Sequence, residues 1–142
     1  MFVLGIESSC DETAVAVLED RRIRANLIAS QLAAHRPFGG VVPELAARMH
    51  LEALRPLLEA AIAEAGVSLA EIDLVCATRG PGLIGALLVG FSAAKAIAWA
   101  LGKPFVGINH VVAHIYANFL QEPPPEPPII CLTVSGGHTD LF

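Results

Sequence analysis

Charge is scarce in this chain. Only 16 % of its 142 residues are Asp, Glu, Lys or Arg, and Lys and Arg together number nine against fourteen Asp and Glu. Affinity for a nucleic-acid backbone grows with the number of phosphates that cations neutralise. A net charge of −5 with nine scattered cations excludes broad, unaided nucleic-acid binding. Any RNA would need a local patch, a further segment or a partner protein. Cysteine is equally sparse: Cys10, Cys76 and Cys131 lie far apart, odd in number and without CxxC spacing. That excludes a disulfide framework and fits a reducing cytoplasm. A secretory leader is missing as well, because Glu7 and Asp11 arrive before an apolar h-region can form.

What is abundant is apolar surface. Residues of apolar type make up 54 % of the chain, and the mean hydropathy is +0.60. The length suits one domain with a proper core, but the composition is greasy for a free-standing one. Either a segment enters a membrane or the apolar surface is covered by something outside these residues. Leu83 to Leu101 carries one charge, Lys95, and by length it matches a bilayer span. Gly85, Gly90, Ser92 and Lys95 within it, and strand-like runs on either side, favour a helix buried against a sheet. No membrane contact is therefore expected. The closing residues Thr139–Phe142 read as a strand soon after a turn, as in part of a longer protein.

Periodicity and punctuation predict the elements. Met1–Glu7 is an apolar strand, Thr13–Glu19 a Val-rich second strand and Ile23–Gln31 a third, joined by short turns into an antiparallel meander. Pro43 and Glu44 open a helix that runs to about Gly66, with Leu45, Met49, Leu57, Leu58, Ala61 and Ile62 toward the core. Pro56 inside it predicts a kink or two abutting helices. Ile72–Thr78 is a strand, Arg79–Gly82 a tight turn and 83–101 a helix stopped by Gly102 and Pro104. Phe105–Ile108 is a strand, and Val111–Leu120 a short helix that Asn109 caps. The run Glu122–Pro128 is too dense in proline for helix or central strand and reads as a stiff connector. Ile129–Val134 then repeats the opening pattern: apolar strand, small polar turn, strand. The expected organisation is a first α/β domain over 1–121, a linker over 122–128, and the opening hairpin of a second, similar domain over 129–142.

Three stretches carry chemistry. His110 and His114, four residues apart, stack on one face of a helix, where two imidazoles can grip one ion. Val111 stands where a zincin would place its Glu base, so this is no zincin helix. A metal site needs a further ligand, from His138, Asp140 or residues beyond the chain. The bend Glu7–Thr13 offers the hydroxyls of Ser8, Ser9 and Thr13 and exposed amides, as phosphate turns do. Asp11 and Glu12 suit such a bend only beside a cation. The turn Gly80–Gly85 lacks GxGxxG spacing and reads as structural, its glycines letting a helix lie close to the sheet. His35, His50 and Glu44 carry no independent signal.

Taken together these motifs resemble one family. Gly5-Ile6-Glu7-Ser8-Ser9-Cys10-Asp11-Glu12-Thr13, Gly39-Gly40-Val41-Val42-Pro43-Glu44-Leu45-Ala46, Gly80-Pro81-Gly82-Leu83, Asn109-His110 through His114 and Ser135-Gly136-Gly137-His138-Thr139 occur in that order in the tRNA N6-adenosine threonylcarbamoyltransferases, once described as O-sialoglycoprotein endopeptidases. The resemblance covers the whole chain. It implies the actin, sugar-kinase and Hsp70 ATPase fold, with two similar α/β domains around a nucleotide cleft. It implies transfer of a threonylcarbamoyl group from threonylcarbamoyl-AMP to N6 of adenosine 37, in tRNAs reading codons that start with A. His110 and His114 match the family's two histidine ligands for one divalent ion, iron or zinc, and its aspartate ligand would lie beyond Phe142. Ser9, Thr133, Val134, Ser135, Gly136 and Gly137 match positions that hold the adenylate. Asp11 and Glu12 match acidic residues of the active site, to orient the acyl group or take the amine proton.

The resemblance further implies tRNA, a paralogous actin-like protein and a small ATPase as partners in the cytoplasm, and inactivity of the chain alone. Thr133 and Ala113 depart from the family's frequent Leu and Gly without touching the ligands. Family members run to roughly twice this length. The alternative is a non-catalytic scaffold relative of the same fold, which lacks the histidine pair. Related sugar or acetate kinases lack it too, and a protease has neither a zincin Glu nor a triad here. The apolar helices 43–65 and 83–101 predict contact with a partner or self-association into a homodimer.

Overall fold

A computed structural model describes residues 1–134 and 139–142. The chain begins with strands β1 (Phe2–Glu7), β2 (Glu12–Glu19) and β3 (Arg22–Ser30), followed by a single helical turn, α1 (Leu32–His35), and a long helix, α2 (Pro43–Ala65). Strand β4 (Leu74–Gly80), helix α3 (Ile84–Leu101), strand β5 (Phe105–Asn109) and helix α4 (His110–Ala117) come next. Five strands form one mixed sheet in the order β3-β2-β1-β4-β5. The first three strands are antiparallel neighbours, and β4 and β5 add in parallel. The parallel pairs need crossovers, which α2 and α3 supply. This is the expected α/β arrangement of meander followed by βαβ.

Alternation decides which side chains enter the core. Leu4, Ile6, Val15, Val17 and Val75 point to the face covered by α2 and α3, and all are buried. Burying each such side chain stabilises the fold by about 1.5–3 kcal/mol. Gly5, Glu7, Ala14, Ala16, Cys76 and Thr78 fall on the opposite face. There, with α4, they border an open groove of about 410 Å³.

Helix α2 meets expectation in part. It is one continuous helix through Pro56, not two abutting ones. Pro56 and Glu52, whose carbonyl loses its helical donor there, are both exposed, so water can satisfy that oxygen. Its deepest line is Ala46, His50, Leu54, Ala61 and Ala65; of the residues expected toward the core, Ala61 is on that line, Leu57, Leu58 and Ile62 pack half-buried against the core, and Leu45 and Met49 are half-buried. The helix is wedged between the sheet and α3. Three alanines, with His50 and Leu54 between them, form its buried line, and larger half-buried residues flank it. The expected stops hold: Gly66 and Gly102 adopt left-handed φ values of 70° and 64° and cap α2 and α3.

Helix α3 is, among the described residues, the one helix long and apolar enough to cross a membrane by length and composition. Ala86, Gly90, Ala94 and Ala98 pack inward, while Ile84, Leu88 and Trp99 lie exposed on its outer side. Helix α4 begins at His110 and ends at Ala117, and a 3-10 turn over Asn118–Leu120 takes the place of the expected last α-turn. Residues 122–128 contain no helix or strand. Beyond them β6 (Leu132–Val134) and β7 (Thr139–Leu141) pair antiparallel in a separate sheet, as the hairpin pattern implied. The turn Ser135, Gly136, Gly137 and His138 lies outside the described residues.

Candidate active site around the histidine pair

Strand register builds the site. In the parallel pairing of β1 with β4, Gly5 lies opposite Cys76 and Ile6 opposite Ala77, which brings Glu7 beside Thr78. Thr78 in turn lies opposite Ile108 of β5, two residues before His110. Glu7, Thr78 and His110 are thus gathered at the carboxyl ends of three neighbouring parallel strands. Ligands of α/β sheets collect at that edge.

Asn109 starts α4 as expected. Its Oδ1 accepts from the amides of Val111 (2.9 Å) and Val112 (3.1 Å). The cap orients the first turn, and helical spacing brings the two imidazoles together. Their ring centroids are 4.5 Å apart with planes at 87°, and their Nε2 atoms are 3.1 Å apart. His110 Nδ1 lies 3.4 Å from Glu7 Oε2 and 3.2 Å from Ser9 Oγ. Facing a carboxylate, His110 carries its proton on Nδ1, which leaves the Nε2 lone pair aimed at His114.

Glu7 is the acidic residue of this cluster. Burial pushes its carboxyl up, but hydrogen bonds from His110, Ser9 and Thr78 outweigh that and hold it at about 2. The same hydrogen bond raises His110 above the usual imidazole range, against the lowering effect of burial. Glu7 was not singled out from the sequence. The signal available was its position as the last residue of an apolar strand, on the face away from the core.

Of the other expected residues, Ser9, Thr133 and Val134 lie near the histidines. Ser9 is buried and touches His110 directly. Asp11 is half-buried in the bend, and Glu12 is exposed at the start of β2, on the same sheet face as Glu7. Neither belongs to the hydrogen bonds around His110. Thr133 is buried, and with Val134 it borders a second cavity, of about 490 Å³, that His114 also lines. His114 therefore stands between the first bend and strand β6. Ser135, Gly136 and Gly137 lie outside the described residues. Among the described residues no group of three or more His, Cys, Asp and Glu side chains is placed to hold a metal ion.

The first bend is held from beneath. Ser8 Oγ donates to the Ala86 carbonyl (2.8 Å) and accepts from the Gly90 amide (3.1 Å), two groups that face each other across one turn of α3. A Cβ on Gly90 would sit 2.4 Å from that hydroxyl oxygen, and one on Gly82 would sit 2.6 Å from the Ser9 carbonyl oxygen. Gly82 thus has a structural role, as expected of its turn, but it makes room for the first bend, and Gly90 does the same from α3.

Residues 22–142 match the model of a protein family described as tRNA N6-adenosine threonylcarbamoyltransferase. A protein of that name from Symbiobacterium thermophilum is 61 % identical over 141 residues, which is 99 % of this chain and 41 % of that protein. Another from Syntrophobacter fumaroxidans is 57 % identical over 143 residues, covering 100 % of this chain and 42 % of the relative. The chain thus spans about two fifths of the length of these relatives. Among solved structures, YeaZ from Pseudomonas aeruginosa superposes with a TM-score of 0.66 at 19 % identity, covering 99 % of this chain and 64 % of that one. That likeness speaks to the fold alone.

Proposed function

Because the chain belongs to the tRNA N6-adenosine threonylcarbamoyltransferase family, we propose that it supplies the histidine-bearing part of an enzyme that moves a threonylcarbamoyl group from threonylcarbamoyl-AMP to N6 of adenosine 37 in tRNA. The observation that carries this reading is the convergence of the His110 and His114 Nε2 atoms, 3.1 Å apart, with Glu7 behind His110.

The pair suits a divalent ion. Two nitrogens roughly 2.0–2.1 Å from one ion, near a tetrahedral angle, lie about 3.3–3.4 Å apart, close to the 3.1 Å here. A carboxylate on the far ring nitrogen is the usual second support of a ligating histidine, and Glu7 fills that place. His110 and His114 would hold iron or zinc with at least one ligand from outside the described residues. When bound, such an ion supplies Lewis-acid polarisation of donor oxygens.

The remaining chemistry falls to the chain. The exocyclic amine of adenine is a poor nucleophile, and the donor is a carbamate–phosphate mixed anhydride with AMP as a good leaving group. A bond forms between N6 and the carbamate carbon, the bond from that carbon to the phosphate oxygen breaks, and N6 loses a proton. Asp11 in the bend, with Glu12 as the neighbouring alternative, takes that proton or orients the acyl group. Ser9 and the segment Thr133–Gly137 hold the adenylate, with amides of the small-residue turn on its phosphate. The separate sheet of β6 and β7 is the opening of a second domain over 129–142, beyond the 122–128 connector. The partners are tRNA, a paralogous actin-like protein and a small ATPase. The exposed Ile84, Leu88 and Trp99 on α3 support docking of such a partner or self-association.

The test uses the full-length protein. His110→Ala/His114→Ala should lose bound metal, read by mass spectrometry of the purified protein, and lose transfer to tRNA. Metal retained at wild-type stoichiometry overturns the assignment of ligands. Wild-type turnover in Asp11→Ala removes Asp11 from the chemistry. A scaffold role instead would leave tRNA modification intact in both variants.

A further inference from the structure

We propose that His50, fully buried beneath the first bend, is a positioning residue for that bend: it holds the Cys10 carbonyl inward so that the Asp11 amide is presented to substrate. The proposal rests on the reading above that this bend faces the adenylate.

The argument begins with three successive carbonyls. Ser9 O accepts from the Leu83 amide (2.8 Å), Cys10 O from His50 Nε2 (3.1 Å) and Asp11 O from the Gln31 amide (2.9 Å). All three peptides are trans. In a trans peptide the C=O of one residue and the N–H of the next point in opposite directions. Each of the Cys10, Asp11 and Glu12 amides therefore leaves opposite the donor on the preceding carbonyl, and the Asp11 amide leaves opposite His50. No acceptor among the described residues meets the Cys10 or Asp11 amide. Two of the three inward bonds come from backbone that is fixed by the sheet and by the start of α3. The middle one comes from a side chain, and that side chain is His50.

His50 is well built for the task. It is 0 % exposed. A backbone carbonyl only accepts, so His50 carries its proton on Nε2, and Nδ1 then accepts from Thr13 Oγ1 at 2.7 Å. Both ring nitrogens are committed, one to each end of the bend. A second buried histidine braces the same region. His35 Nε2 donates to Gln31 Oε1 (3.0 Å), and His35 Nδ1 accepts from the Val42 amide (3.3 Å). Gln31 Nε2 in turn donates to the Ala46 carbonyl of α2 (3.3 Å). The helix, the 31–42 segment and the bend form one network with its donors and acceptors paired.

The two amide substitutions separate positioning from mere filling. Glutamine places an N–H donor where His Nε2 stood, toward Cys10. Asparagine reaches only the Nδ1 position, toward Thr13. In the full-length enzyme, His50→Gln should keep the KM for the adenylate donor near wild type. His50→Asn should raise it about tenfold or more, with bound metal unchanged and with the two variants melting within a few degrees of each other. Equal KM values in the two variants, or KM changes that simply follow the melting temperature, overturn the proposal. Wild-type enzyme that fails to modify tRNA would instead overturn the functional reading on which it rests.

Discussion

Two pairs of histidines occupy this small fold, and they are built on opposite principles. His35 and His50 lie inside, with all four ring nitrogens engaged by protein groups of fixed role: Gln31, the Val42 amide, Thr13 and the Cys10 carbonyl. His110 and His114 stand at the carboxyl edge of the sheet, with their Nε2 atoms turned toward each other. The inner pair spends its nitrogens on holding backbone. The outer pair brings its Nε2 atoms together, with a carboxylate facing the other nitrogen of one ring. Residue type is the same in both. What separates the two pairs is the partner on each nitrogen.

That contrast can be broken in three ways, beginning with the largest effect. Replacing an inner histidine strips partners from buried polar groups. His50→Leu should cost about 1–3 kcal/mol of unfolding free energy in urea titration, whereas His114→Leu, at an exposed position, should stay within about 0.5 kcal/mol. Equal costs at the two sites would erase the distinction. The second test acts on the outer pair alone. Glu7→Gln should weaken zinc affinity about 10–100-fold in calorimetric titration of the metal-free full-length protein. His50→Gln should leave that affinity unchanged.

The third and smallest effect is acid sensitivity. Burial lowers His50 below the usual imidazole value of 6.5, against the Cys10 carbonyl and the charges of Glu7 and Asp11, which raise it; nearby His35 lowers it further. The fold therefore favours the neutral ring. Its contribution is complete above pH 6.5 and declines as the pH falls through the lowered value. Wild-type melting temperature should drop across that acid range, and His50→Gln, which does not titrate, should lack this component.

Much of this architecture is legible along the chain. Alternation in Thr13–Glu19, the glycine stops at 66 and 102, and the Asn109 cap are local signals with local causes, and each holds in the structure. The i, i+4 spacing of His110 and His114 is likewise enough to stack them on one face of a helix. The buried line of α2 was less legible, because hydrophobicity marks a side of the helix but not the line of closest approach. There three alanines and a hydrogen-bonded histidine share the line with Leu54.

Glu7 and His50 show where local reading stops. Glu7 is marked only as the last residue of an apolar strand, and nothing adjacent in sequence distinguishes His50 within its long helix. Glu7 meets His110 across 103 residues of chain, and His50 meets Cys10 across 40. Local patterning was sufficient for the elements, their order and the histidine pair, because propensity, capping and periodicity act over a few residues. Which carboxylate stands behind His110, and which imidazole turns the first bend outward, was settled only by strand register and helix docking, since those bring distant residues within hydrogen-bond reach.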